Sequence, residues 1–585
     1  MESELSLEKS NKKYLILLVC LVITSFIYQL IVFLMYPYLY GVDGAYYELQ
    51  VLSILQTGQM WTGDNPFVFY YFTLLSLLTR NVTLAIKIGI VLFCALVPIP
   101  TYFIIKKLTR DDRAAIFSAF ISVFNPLLFR MMGEFVKNAI GSFFLLCFIY
   151  FFLLCCENKG DLKKTIVLYL ITYGFLLLMI YTHIYPTGYA ACFVIIYLIY
   201  SIIHSRITKR EFPLNDIKIG TFLCVTGLTT LFFMFFFFND FFIHFLKIEG
   251  FIEDLFGISL QDLSQNLQIL QFPRPGNDPG FGPIFNPMFF QMNSDLIMLL
   301  ILIPISCIGI AIIIYDLIKK KKNHPLLQFI GFCLIFFLPV YYLVPNNTQM
   351  LAGFSSPLTS FADVLNFLTY FPVLGGVSLL VLEIYKNDPD KFEINRMKGI
   401  LLVIFITSSF LVLPFIDEEW ASRFVYMNFI PIALLMGYGI KALKDKDKRK
   451  KILAISIVLF FSISFFAQTA YFCSYQMSPT ISEAGLQDLE VLKTKVETNS
   501  SLEGSIVLLQ DLDYYYYTIL KTGLTSYVIY SQSIDASYYA DYYNETIFVI
   551  YKITSHPEVE LGQEIIRNDP NGQFFILLAN YTFHD

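Results

Sequence analysis

Charge is scarce in this 585-residue chain: Asp, Glu, Lys and Arg together make up only 15% of it, against roughly a quarter in soluble domains. That shortage excludes an ordinary water-solvated fold. Apolar residues fill 56% of the positions, Phe alone 60 of them, and a soluble globule of this length cannot hide so much carbon. An excess of positive charge is missing too. With 41 Lys and Arg against 46 Asp and Glu, there is no basic stripe, and a nucleic-acid partner is excluded. Cysteine is absent from the polar C-terminal hundred residues, so neither a disulfide framework nor a zinc knuckle can form there. Cys155-Cys156 lies inside an apolar run and reads as helix filler. No His-Glu-x-x-His, P-loop or dinucleotide fingerprint occurs.

Long apolar runs are abundant. A spanning helix takes about 20 such residues, and thirteen stretches fit: 14–36, 82–105, 114–130, 139–156, 165–182, 188–205, 217–238, 295–315, 326–344, 364–385, 399–415, 424–441 and 452–472. The first is too long for a signal-peptide core and lacks a small-x-small cleavage site, so it reads as an anchor. Lys and Arg gather in alternate loops, at Lys12-Lys13, Lys106 to Arg113, Lys163-Lys164, Arg206 to Arg210, Lys319 to Lys322, Lys386 to Lys398 and Lys441 to Lys451. That asymmetry predicts a cytoplasmic N-terminus, and an odd number of crossings leaves the tail outside. Asn-x-Ser/Thr triplets at Asn81, Asn346, Asn499, Asn544 and Asn580 all fall on the predicted outer side. The chain therefore divides into a transmembrane part, 1–472, and an extracytoplasmic part, 473–585.

Two outer loops are long. Loop 37–81 contains an interfacial helix over Tyr46 to Leu55, and loop 239–294 carries the turn-rich run Gln271 to Pro283, which reads as a binding loop. The tail reads as a small α/β domain with strands at Ser505–Gln510, Thr525–Ser531, Thr546–Ile553 and Gln573–Ala579. Its Tyr514–Tyr517 and Tyr538 to Tyr543 runs suit plain packing or interface anchoring, or stacking on sugar.

Charges beside membrane spans are expensive, which makes each of them a candidate for chemistry. Asp43, in Tyr40-Gly-Val-Asp-Gly-Ala-Tyr-Tyr, suits a general base for a hydroxyl, or else an N-cap of the helix that follows. Glu134 and Lys137, in Arg130-Met-Met-Gly-Glu-Phe-Val-Lys-Asn, are spaced to share a helix face beside Asn138. They could hold an anionic head group, or form a plain surface ion pair. Arg423 opens a span, where a guanidinium needs a partner, a phosphate or a snorkelled position. His183, in Thr-His-Ile-Tyr-Pro, is a weaker candidate. Asp511-Leu-Asp513 has the pattern of nucleotide-sugar transferases, but it is short and lies on the side where nucleotide sugars are not expected.

Thirteen spans, a long first outer loop with an acidic residue just past span one, an acidic second outer loop and an outer α/β tail resemble the GT-C glycosyltransferases. This superfamily includes oligosaccharyltransferase catalytic subunits, protein mannosyltransferases and the aminoarabinose transferase of lipid A. The sequence content of the likeness is Gly41-Val-Asp43-Gly-Ala-Tyr-Tyr47, Gly133-Glu134-Phe-Val-Lys137-Asn138, and Arg423 followed by Pro431. The resemblance implies a polytopic α-helical membrane protein with about 13 spans and an extracytoplasmic α/β domain. It implies an inverting enzyme of the cell membrane that moves a sugar from a polyprenyl phosphate to a hydroxyl of a glycan, lipid or protein. Asp43 and Glu134 would be its catalytic carboxylates and the ligands of a divalent metal, Mg or Mn, if one is used. Lys137, Asn138, His183, Arg423, Tyr46 and Tyr47 would bind substrate, with Arg423 on the donor phosphate.

The oligosaccharyltransferase Trp-Trp-Asp-x-Gly motif is absent, and so are the paired acidic residues of protein mannosyltransferases, since Gly44 follows Asp43. Transfer to Asn sequons is thereby disfavoured. A carrier or flippase of lipid-linked glycans is the alternative, or a non-catalytic scaffold of a surface-glycan complex. The chain shows no convincing internal repeat of the kind transporters carry.

Overall fold

The computed structural model describes residues 2–158, 162–208, 213–237, 293–319, 325–344, 357–385, 392–412, 418–442 and 448–475. With gaps at 478, 500–501, 503, 570 and 572 it also describes 477–509, 514–528, 546–552 and 563–579. The Gln271 to Pro283 run, Asp511 to Asp513, Tyr538 to Tyr543 and the triplets at Asn346, Asn544 and Asn580 lie outside the described residues.

Helices dominate. In chain order they are α1 (Glu2–Leu34), α2 (Gly44–Thr57), α3 (Pro66–Thr79), α4 (Val82–Ala95), α5 (Pro98–Thr109), α6 (Asp112–Val123), α7 (Pro126–Glu134), α8 (Val136–Glu157), α9 (Leu162–Thr182) and α10 (Ile184–Thr208). Next come α11 (Leu214–Phe237), α12 (Asn293–Lys319), α13 (Pro325–Leu343), α14 (Pro357–Tyr385), α15 (Phe392–Leu411), α16 (Glu418–Met427), α17 (Phe429–Ala442) and α18 (Lys448–Tyr475). Ten described helical stretches are long and apolar enough to cross a membrane, from Lys12–Leu34 to Ile455–Ser474. The sequence-read runs 295–315, 364–385 and 399–415 coincide with shorter described apolar helices, Ile301–Asp316, Thr369–Ile384 and Lys398–Leu411. A further short apolar helix, Pro66–Thr79, falls in what the sequence presents as an outer loop.

Burial separates central spans from peripheral ones. Asp112–Glu134 and Arg423–Lys441 are 83% buried within the protein, whereas Lys12–Leu34 is only 22% buried. The first span exposes Ile16, Val19, Ile23, Ile27 and Ile31, a stripe at helical spacing suited to lipid. Local chemistry breaks the central spans into pieces. Asn125 accepts a hydrogen bond from Leu127 N at 3.0 Å and Pro126 takes the first helical position, a standard helix start. Pro431 lacks an N–H and its ring would strike the carbonyl four residues back, which accounts for the end of α16 at Met427. Asn428, buried at that break, donates to Leu343 O at 2.8 Å.

The chain forms two compact units, 1–30 with 63–68 and 90–473, and 31–62 with 69–89 and 474–585. The second contains α19 (Glu483–Thr498), α20 (Tyr515–Thr522) and a five-stranded sheet. Its strands are β1 (Ile506–Leu509), β2 (Thr525–Val528), β3 (Ile547–Lys552), β4 (Gln563–Asn568) and β5 (Phe574–Ala579), in the order β2-β1-β3-β5-β4. β1 runs parallel to β2 and β3, while β5 is antiparallel to β3 and β4. Ala45 of α2 belongs to the same apolar core as Leu489, Leu492, Val507, Phe548, Phe574 and Ile576. Tyr517 Oη donates to Leu39 O at 3.1 Å, and Gly41 bridges Pro479. Residues 31–62 and 69–89 therefore fold with the tail as one body.

Candidate active site

In the first unit the site is built around the junction of α7 and α8. Phe135 leaves helical geometry there, with φ −128° and ψ 56°. The expectation that Glu134 and Lys137 share one helix face is thereby corrected: Glu134 closes α7 and Lys137 opens α8. Each carboxylate and ammonium has its own partner. Arg130 Nε donates to Glu134 Oε2 at 3.0 Å. Lys137 is ion-paired with Asp64, and both side chains are nearly buried. Asp64 also accepts from Asn65 N at 2.6 Å, and Asn65 Nδ2 donates to Ile180 O at 2.7 Å, so this carboxylate is rigidly set. Asn138 is buried, and its Oδ1 has no partner among the described residues.

Arg423, on α16, donates from Nη1 to Tyr185 Oη at 2.8 Å. Its guanidinium lies over the rings of Tyr185 and Phe135, at 5.1 and 5.6 Å. The Phe135 ring stacks on Tyr426 at 5.5 Å, and Arg130 covers Tyr426 at 5.1 Å. His183 stacks on Tyr185 at 5.1 Å and is 9% exposed. Three cations, Arg130, Lys137 and Arg423, thus gather about one helix break with two carboxylates, Asp64 and Glu134. Aromatic faces carry both guanidiniums. Such an arrangement favours an anion held by charge-assisted hydrogen bonds.

In the second unit Asp43 stands at the start of α2. The glycines around it have distinct reasons. Gly41 adopts φ +69°, and a Cβ on Gly44 would lie 2.9 Å from Leu39 Cβ. Asp43 makes no side-chain cap to α2. Tyr46 is half-buried and in ring contact with Trp61, Phe69 and Tyr516. Tyr47, expected to touch substrate, is 2% exposed and packed against Phe69 and Phe72. It is a core residue.

Nearby, Glu48 accepts from Thr83 Oγ1 at 2.5 Å. Burial pushes its carboxyl above the usual glutamate range, against the opposing hydrogen bond of Thr83 and the charges of Lys521 and Lys87. Among the described residues no three His, Cys, Asp or Glu side chains converge. Glu134 and Asp64 each spend an oxygen on a cation.

Sequence reasoning passed over Asp64, Tyr185 and Tyr426. Asp64 had a signal, since it is a lone carboxylate before the Pro66 helix start. Tyr185 and Tyr426 had none, being two of 39 tyrosines whose role appears only through contacts distant in sequence.

Residues 64–229 match the family profile described as dolichyl-phosphate-mannose-protein mannosyltransferase. That segment contains Asp64, Arg130, Glu134, Lys137, Asn138 and His183. No curated protein matches the chain. Among solved structures, the oligosaccharyltransferase of Archaeoglobus fulgidus in complex with Zn and sulfate aligns with TM-score 0.56 and 13% identity, over 91% of this chain and 68% of that one. Its apo form aligns with TM-score 0.54 and 11% identity, over 92% and 69%. ArnT from Cupriavidus metallidurans bound to undecaprenyl phosphate covers 97% and 98% at 10% identity, with a TM-score of 0.37, too low to bear on the fold. A mannosyltransferase-like segment inside a chain that follows an oligosaccharyltransferase over most of its length makes this a multi-pass membrane protein with the fold of the GT-C glycosyltransferases.

Proposed function

We propose that the protein transfers a sugar from a polyprenyl (dolichyl-type) phosphate to an acceptor hydroxyl, with inversion, on the outer face of the cell membrane. In this reading the N-terminus is cytoplasmic and the tail extracytoplasmic. The observation that carries the proposal is the set of three cations around Phe135, most of it inside the segment that matches a dolichyl-phosphate-mannose family. A polyprenyl phosphate leaving group needs charge neutralisation more than protonation. Arg423 supplies it, fixed in orientation by Tyr185 Oη, and preorganised charge is the largest single contribution in many such sites. Lys137 and Asn138 assist, with His183 setting the Tyr185 ring by stacking.

The chemistry is one displacement. The acceptor oxygen forms a bond to the anomeric carbon as the bond from that carbon to the phosphate oxygen breaks. The phosphate departs with the electron pair, and Asp43 takes the acceptor proton. Glu134 holds Arg130 in place and acts through it.

The test is transfer of labelled sugar from a synthetic polyprenyl-phosphate donor by purified protein in nanodiscs. Asp43→Asn is expected to lower kcat by about 10²–10⁴-fold, and Arg423→Ala to lose about 10²-fold in kcat/KM, both with unchanged thermal unfolding. Full activity in a folded Asp43→Asn protein would remove the carboxylate from the mechanism.

A further inference from the structure

Three partly exposed rings of the second unit meet in a triangle. Tyr46 lies 5.1 Å from Tyr516 and 6.5 Å from Trp61, and Trp61 lies 6.3 Å from Tyr516. A single buried amide fixes this group. Gln50 is fully buried and donates from Nε2 to Tyr46 Oη at 2.8 Å, Thr62 Oγ1 at 2.9 Å and Thr62 O at 3.0 Å. Its Oε1 accepts from Trp61 N at 2.9 Å. The turn that carries Trp61 is therefore pinned to the helix that carries Tyr46, and the rings are held before any ligand arrives.

Trp61 is 37% exposed, and its surroundings are polar. The segment from Gln56 to Gly63 offers amides and hydroxyls, with no Lys or Arg anywhere between Gly44 and Gly63. Thr62, also exposed, accepts from Gln50 and so keeps its hydroxyl proton to donate outward. An exposed indole beside two half-buried phenols, edged by hydroxyl and amide groups, matches the two-sided character of a pyranose ring. Such a ring has C–H groups for the aromatic face and hydroxyls for the rim.

We infer that Tyr46, Trp61 and Tyr516 form a carbohydrate-stacking platform, braced by Gln50, that receives a sugar ring of a glycan acceptor. That the sugar is an acceptor rests on the transferase reading above; that the platform binds sugar does not. A lipid-interface anchor is the competing occupant and is an outcome of the same test.

Trp61 and Trp420 are the only tryptophans, so Trp420→Phe leaves one fluorophore, on the platform itself. Full-length Trp420→Phe protein in nanodiscs is titrated with mannotriose, cellotriose and chitotriose while the emission of Trp61 is followed. A saturable change with at least one of them is expected, weakened about tenfold by Gln50→Leu and retained when Asp43→Asn is added. No response to any of the three, or strong quenching of Trp61 by brominated lipid in the nanodisc, overturns the platform. Sugar binding that persists without any transfer activity would instead sink the transferase reading and leave the platform standing.

Discussion

Glu48 shows what burial does to a single carboxylate in the second unit. Desolvation favours its neutral form, so the folded state holds the proton more tightly than the unfolded chain does. The stability gained this way is fully present below the ordinary glutamate range, and it is lost as pH rises through the raised value. Glu48→Gln cannot ionise. Thermal unfolding of this variant should be less sensitive to pH across the mildly acidic range, and at neutral pH the variant should unfold at a higher temperature than the wild type. A steeper pH dependence in the variant would contradict this account. Asp43 is the counter-case. Its sequence context fits a cap and a catalytic base equally well, and its side chain makes no cap to α2.

At the level of elements, Asp488 on α19 ties the tail's sheet to its helix. The carboxylate is fully buried and accepts from Arg567 Nε at 2.6 Å, Gln573 N at 2.8 Å and Phe574 N at 3.0 Å. Asp488→Ala would leave Arg567 Nε and two backbone amides without their acceptor, at a cost of about 3 kcal/mol, read as earlier proteolysis of β4 and β5. Asp488→Asn should recover part of it. β1, β2, β3 and β5 were legible as apolar runs between turn residues. β4, Gln-Glu-Ile-Ile-Arg-Asn, was not, because an edge strand keeps polar residues at its ends and only its middle is apolar. Likewise α3 was hidden by its 14 residues, too few for a span, and the break at Phe135 by the absence of Gly or Pro at that position.

On the scale of the whole molecule, apolar run lengths disclosed the membrane helices and charge placement suggested the sidedness, because both depend on composition averaged over many residues. The site was legible only in its charged members. Lys137 finds Asp64 across 73 positions and Arg423 finds Tyr185 across 238, pairings that no local pattern encodes. The second unit makes the same point about domains, since 31–62 and 69–89 share a body with 474–585. Truncation after residue 473 should therefore expose Ala45 of α2, and limited proteolysis of the shortened protein should cut within 37–62 where the intact chain resists. Equal resistance in both would show that 37–62 is stable without the tail.

The same interleaving sets a timetable for synthesis. The α2 segment emerges early, but its partners in the tail begin at Ser474, about 420 residues later, which at ribosomal speeds of about 5–20 residues per second is roughly 20–80 s. Through that interval most of the membrane helices are being threaded while the Ala45 face of α2 waits for its partners. That face gains its cover only when the C-terminal segment has been made.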